Sequence, residues 1–170
     1  RRADFIGRDL VIVLGGDGTL TSISHNIDES TPVMGVNSHP KAEDPTGSVG
    51  FYMDSTLDTF SQDLERALTG KAIVNNLPRL RAIIDSTSGN RYTTDPAMNE
   101  LLIANTHQYA PSKYHLRRGD MSTDQQSSGL IFSTWLGQGA WFSHSLDPTS
   151  LAEIREVVNL GEEDTHYFVL

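Results

Sequence analysis

The residues best equipped for chemistry lie in the stretch "VIVLGGDGTLTS", positions 11 to 22, where an apolar run ends in Gly15-Gly16-Asp17-Gly18-Thr19. Glycines directly after a buried strand let a backbone approach a ligand with no Cβ in the way. Successive amide N–H groups at such a turn, together with a helix N-terminus, can cradle phosphate oxygens. The stretch is not a Walker A loop, because no Gly-Lys-Ser/Thr follows. It is not the dinucleotide fingerprint either: Gly16 and Gly18 keep the first interval, but Thr21 stands where the third glycine belongs. Asp17 is the unusual member. A carboxylate repels phosphate, so its presence requires another reason, such as accepting a proton from an attacking hydroxyl or helping to hold a metal ion. The plain alternative is that Asp17 caps the following helix, since Asp-Gly is also a common turn dipeptide. The residues themselves leave both readings open.

The elements that must position this turn follow from periodicity. Leu10-Val11-Ile12-Val13-Leu14 is a β-branched-rich run expected of a strand buried on both faces of a parallel sheet. "PVMGV" (32 to 36) is a second such run, and "TLTSISHNIDES" between them is long enough for a crossover helix, which makes a βαβ unit. Leu57, Phe60, Leu64, Ala67 and Leu68 recur at helical spacing, with Gly70 placed as a C-terminal cap; this reads as an ordinary packing helix. After Gly70 the texture changes. "LRAIID" (80 to 85), "ELLIAN" (100 to 105) and "GLIFSTW" (129 to 135) are strand-length and bounded by turn residues, with no comparable helix between them. The expected organisation is therefore an α/β region over 1–71, a mainly antiparallel β region over 72–147 and a helical tail over 148–170. In that tail Leu151, Ile154, Val157 and Val158 share one face, and Asp147 or Thr149 can cap it.

Composition excludes several classes. The chain has 170 residues, 37% of them hydrophobic and 21% charged, as in an ordinary globular protein with a core. No apolar run approaches the roughly 18 residues that span a bilayer, and the first residues lack a signal peptide's apolar core, so no membrane association is expected and an intracellular location is. The absence of cysteine removes disulfides, thiolate zinc sites and cysteine nucleophiles. A net charge of −9 argues against a general grip on nucleic acid, so phosphates must be held by local features. His25, His39, His107, His115, His144 and His166 show no i,i+4 pair or His-Glu-x-x-His pattern, so no protein-held metal site is expected. The stretch from Tyr109 to Ser128 is the most loop-like, and its Lys113, His115, Arg117 and Arg118 form the one basic cluster: a solvated hairpin or loop, or a phosphate or subunit contact.

With these residues quoted, the chain resembles a known family. Gly-Gly-Asp-Gly-Thr after a hydrophobic strand is similar to the signature shared by NAD kinases, diacylglycerol and sphingosine kinases and 6-phosphofructokinases. "PVMGVN" with "GSVGFYMD" (47 to 54), "PAMNELLIAN" (96 to 105) and "SSGLIFSTWLGQGAWFSHS" (127 to 145) then resemble, in order, three further blocks of the NAD kinases. The resemblance covers about residues 10 to 145 and implies a Rossmann-like α/β region followed by a mainly antiparallel β domain. It also implies transfer of a phosphoryl group from ATP or inorganic polyphosphate to the 2′-hydroxyl of the adenosine ribose of NAD, giving NADP, with Mg²⁺ on the donor. Self-association to a dimer or tetramer and a cytoplasmic or mitochondrial location belong to the same expectation.

Carried over by motif, Asp17 is the general base, and Gly16, Gly18 and Thr19 lie where phosphates approach. Phe51 and Tyr52 match aromatic positions near the adenine, although Phe51 also reads as simple core. Asn99 and Glu100 match the pair that hydrogen-bonds the NAD ribose and adenine region, and equally form a strand entry. Ala140 and Trp141 match an Ala-Tyr that contacts the dinucleotide; tryptophan keeps a flat surface but loses the hydroxyl. Ser128 replaces the family's Asp before Gly-Leu-Ile, on the nicotinamide side. Gly139 replaces the Thr before Ala-Tyr, and His144 stands where serine is common, a position compatible with burial in a nucleotide site. The Ser128 and Trp141 changes resemble the mitochondrial and some plant branches. The family's βα segment before the turn and its later strands are shortened or missing, as in a fragment or an abbreviated relative. Two further readings stand beside this one: a lipid or sugar kinase of the same superfamily, on Gly15 to Thr19 alone, and a non-catalytic dinucleotide-binding module.

Overall fold

The computed structural model describes residues 4–107, 109–144 and 166–169. The chain divides between Leu77 and Pro78 into two compact units. That is later than the 71/72 boundary expected from the change of texture. Residues 71–79 carry neither helix nor strand, and composition has no means of locating a boundary inside an irregular connection.

The first unit is a βαβ arrangement. Strands β1 (Val11–Gly15), β2 (Val33–Asn37) and the short β3 (Ser55–Thr56) form a parallel sheet in that order, with helix α1 (Asp17–Ser24) crossing from β1 to β2. Val11, Val13, Leu20, Ile27, Val36 and Met53 make its core. One expectation fails here. β1 is buried on one face only: Val11 and Val13 point inward, whereas Ile12 and Leu14 are exposed, because no described element covers the second face of the strand. An unbroken apolar run therefore behaves as an alternating strand.

Helix α2 (Phe60–Leu68) forms as its period requires. Gly70, at φ +70°, closes it in a Schellman arrangement: Lys71 N–H donates to Arg66 O at 2.8 Å and Gly70 N–H to Ala67 O at 3.2 Å. None of its residues is fully buried: Phe60, Leu64 and Ala67 are half-buried and Leu57 and Leu68 exposed, so its apolar stripe is covered only in part.

Among the described residues, all strand pairing in the second unit is antiparallel. β4 (Ile83–Asp85) pairs with β5 (Arg91–Thr93), and a second sheet has β9 (Gly129–Ser133) between β6 (Glu100–Ala104) and β10 (His166–Val169). β9 is the buried strand, with Leu130 and Ile131 in the core beside Met98 and Phe142. A 3₁₀ turn, Leu136–Gly139, and the short helix α3 (Trp141–His144) follow it. β10 corrects the expectation of helix throughout the tail: "HYFV" is aromatic-rich and extends as a strand along the free edge of β9. The helical reading of "DPTSLAEIREVVNL" lies outside the described residues.

The basic stretch is a hairpin. β7 (Ser112–Arg118) and β8 (Met121–Ser127) pair from Ser112↔Ser127 to Arg118↔Met121. The two-residue loop Gly119-Asp120 has positive φ at Gly119, at +56°, and at no non-glycine residue, which is the pattern of a type II′ turn.

Candidate functional site

The glycine turn sits at the carboxyl ends of parallel strands, the edge at which α/β sheets bind ligands. β1 ends at Gly15, whose carbonyl accepts from Ser38 N–H at 3.0 Å and so ties the ends of β1 and β2 together. Gly16 is the residue before α1 and makes no side-chain cap. Asp17 is the first residue of the helix, so the cap reading fails. Its carboxylate instead turns toward the segment before β3.

There it is held on both oxygens. Oδ2 accepts from Ser48 Oγ at 3.0 Å and from Gly50 N–H at 2.9 Å, and Oδ1 accepts from Tyr52 N–H at 2.8 Å. Asp17 N–H in turn donates to Ser48 Oγ at 3.1 Å. Burial is the largest single influence on this carboxyl and pushes its pKa up. The backbone amides of Tyr52 and Phe51, the Ser48 hydroxyl and the Gly50 amide together outweigh burial and hold it below the usual carboxylate value. Asp17 is accordingly an ionised carboxylate at neutral pH, with two oxygens already engaged and room for a further donor among its roughly four lone-pair directions.

The sequence around it is constrained by closeness. A Cβ on Gly16 would lie 2.7 Å from Ser48 Cβ, and Gly50 adopts φ +74° beside Asn37, whose Nδ2 a Cβ would meet at 2.5 Å. Asn37, 3% exposed at the end of β2, donates from Nδ2 to Ser48 O at 3.2 Å and accepts from His39 N–H at 3.2 Å. Gly18, by contrast, has nothing within 4 Å of a built Cβ, so its surroundings are open. Phe51 is 60% exposed and is not core; its ring meets Tyr52 edge-on, centroids 5.0 Å apart. Ser48 and Asn37 were missed by sequence reasoning. The signal for Asn37 was a polar residue ending an apolar strand, and Ser48 lay inside the quoted block "GSVGFYMD".

In the second unit Asn99, Glu100, Ala140, Trp141 and His144 gather around the start of β6 and the end of β9. Thr134 joins them: its Oγ1 donates to Met98 O at 2.6 Å and accepts from Gly137 N–H at 3.0 Å, while its N–H donates to Asn99 O at 2.9 Å. Gly137 packs against the backbone of Asn99, where a Cβ would collide. Glu100 Oε1 accepts from Phe142 N–H at 3.0 Å, which ties β6 to α3. Burial dominates Glu100 and raises its pKa, opposed by the Phe142 and Trp141 amides and by His144. His144 is exposed and donates from Nδ1 to Ala140 O at 2.8 Å. Trp141 is 49% exposed. Ser128 is not brought to this cluster. It precedes Gly129 at the opposite end of β9 from Ser133, five residues or about 17 Å along the strand. Among the described residues no three His, Asp or Glu side chains converge as a metal cage, and no helix is long and apolar enough to cross a membrane.

A family profile described as "ATP-NAD kinase N-terminal domain" matches residues 4–72. The NAD kinase of Syntrophobacter fumaroxidans is 33% identical over 147 residues, covering 83% of this chain and 48% of that protein. The chain belongs to the NAD kinase family. Its relatives within that family include a probable NADH kinase of Oryza sativa, 30% identical over 148 residues, 78% of this chain and 44% of that protein. The chain thus spans about half the length of the curated relatives it matches. An NAD kinase from Archaeoglobus fulgidus, solved in complex with ATP, superposes with TM-score 0.62 at 20% identity over 82% of this chain and 50% of that one. A yeast NADH kinase complexed with NADH gives TM-score 0.60 at 18% identity, over 81% and 39%. These two likenesses establish the α/β plus β fold of the NAD kinase family for this chain.

Proposed function

We propose that this chain acts as an NAD kinase, moving the terminal phosphoryl group of ATP or inorganic polyphosphate to the 2′-hydroxyl of the adenosine ribose of NAD. The observation that carries the reading is an ionised Asp17 fixed by Ser48, Gly50 and Tyr52 at the carboxyl edge of a parallel sheet, in a chain of NAD kinase sequence. Asp17 orients the acceptor hydroxyl and takes its proton. A carboxylate of lowered pKa is a weak base, which suits a loose phosphoryl-transfer transition state that places little demand on early deprotonation. Gly16, Gly18 and Thr19 present backbone to the phosphates, and the open surroundings of Gly18 support that role.

Phe51, Tyr52, Asn99, Glu100, Ala140 and Trp141 are assigned to the dinucleotide by motif, with His144 as a further contact and Ser128, at the far end of β9, carried by the motif alone. The NADH-bound yeast neighbour and the ATP-bound archaeal one support NAD or NADH as acceptor and ATP as donor. Mg²⁺ neutralises the donor's phosphates when bound. Among the described residues no three His, Asp or Glu side chains converge, so the ion would be held mainly by the donor's phosphates and no step is assigned to it. A homodimer or homotetramer and a cytoplasmic or mitochondrial location complete the proposal.

The test incubates the protein with NAD or NADH, Mg²⁺ and either donor, and follows NADP or NADPH. Turnover with either donor supports the reading. Calorimetric binding of NAD with no product under both donors overturns it in favour of a non-catalytic dinucleotide-binding module.

A further inference from the structure

The β7–β8 hairpin carries a second arrangement that the kinase reading does not use. His115 Nδ1 lies 2.9 Å from Asp124 Oδ1, and Ser122 Oγ lies 2.5 Å from His115 Nε2. A carboxylate oxygen only accepts, so Nδ1 carries the imidazole proton. In the neutral ring Nε2 is then the bare acceptor, and the Ser122 hydroxyl donates to it. The register places His115 opposite Asp124, Arg117 opposite Ser122 and Lys113 opposite Gln126. Side chains alternate along a strand, so these six residues share one face. Directly opposed residues have Cβ atoms about 4.5–5.5 Å apart, so Arg117 starts directly across the strand pair from Ser122. Lys113, Tyr114, Asp124, Gln125 and Gln126 line an open surface depression of about 370 Å³, which Ser122 and His115 do not border.

We infer that Ser122 is a nucleophile toward activated carboxylic esters, with His115 as its base, Asp124 orienting the imidazole and Arg117 facing the oxyanion. The order hydroxyl, imidazole, carboxylate is that of serine acyl-transfer enzymes, recognised by geometry rather than by fold. Ser122 Oγ bonds to the acyl carbon while its proton passes to His115 Nε2. The bond from that carbon to the leaving oxygen then breaks, and His115 returns the proton to the departing alcohol. Water repeats the sequence on the acyl-serine, releasing the carboxylic acid and restoring the Ser122 hydroxyl.

Exposure sets the magnitude. The Asp124 side chain is 93% exposed and that of His115 58%, so water screens the orienting carboxylate. The expected loss on Asp124→Asn is about tenfold, far from the roughly 10⁴ found for a buried triad. The experiment treats the full chain with p-nitrophenyl acetate and with a fluorophosphonate, and locates the adduct by mass spectrometry. One label on Ser122 is expected, absent in Ser122→Ala and slowed at least about tenfold in His115→Gln and Asp124→Asn. Because the chain has no cysteine, Ser122→Cys gives a second readout: its alkylation by iodoacetamide is expected to slow when His115→Gln is added. Labelling elsewhere, labelling of Ser122 at a rate indifferent to His115 and Asp124, or alkylation of Ser122→Cys unaffected by His115→Gln overturns the inference.

Discussion

Asp17 and Glu100 are both partly buried carboxyls that accept backbone amides, yet their environments push them in opposite directions. Asp17 receives donors on both oxygens from Ser48, Gly50 and Tyr52, and its charged form is favoured. Glu100 is bonded by the α3 amides of Phe142 and Trp141, and burial prevails, so its neutral form gains. The number of donors on the anion decides which group is held charged and which gains its neutral form while bracing β6 to α3.

The comparison is broken most severely at Asp17. Asp17→Asn removes the proposed base and is expected to lower the rate of the proposed NADP formation by about 10² to 10⁴; a variant turning over at the wild-type rate would sink the assigned role. Gly16→Ala comes next. Its new Cβ meets Ser48 at 2.7 Å, so it displaces the residue that fixes Asp17 and is expected to cost about 1–3 kcal/mol in denaturant unfolding. An unchanged midpoint would mean that the segment around Ser48 yields freely.

The pH responses sharpen the contrast at smaller amplitude. Asp17 has a folded pKa below the ordinary 3.8, so its contribution is present above that value and is lost as pH falls through the lowered one. Glu100 has a folded pKa above 4.5, so its contribution is full below 4.5 and is lost as pH rises through the raised one. Unfolding followed by Trp135 and Trp141 fluorescence in the second unit should lose stability over that higher window. Glu100→Gln should abolish the slope while moving the neutral-pH midpoint by under about 1 kcal/mol, since an amide oxygen still accepts from Phe142. A slope that persists in Glu100→Gln would assign it to another group.

Local pattern made β1, α1, β2, α2, β6 and β9 legible: apolar runs, a glycine turn, a 3.6-residue period. It also placed the turn residues and the Asn99-Glu100 entry. Long-range polar partners were not legible. Ser48 and Asn37 meet Asp17 through folding rather than spacing, and whether Asp17 capped its helix or faced another segment could not be read from a turn dipeptide. Ile12 and Leu14 misled because hydrophobicity records what a face can bury, whereas exposure depends on what covers it. Motif proximity did not reveal where Ser128 lies: it adjoins "GLIFS" at the end of β9 away from the Glu100 cluster.

The three hydrogen bonds on the Asp17 carboxylate join residues 31, 33 and 35 positions apart. Closing such a loop is entropically unfavourable unless other contacts have already brought its ends together. Pairing of β1 with β2 and the Ser38-to-Gly15 bond perform part of that closure. Asp17 is therefore expected to acquire its partners late in folding, after the βαβ framework exists, with its substitutions read mainly in the unfolding rate.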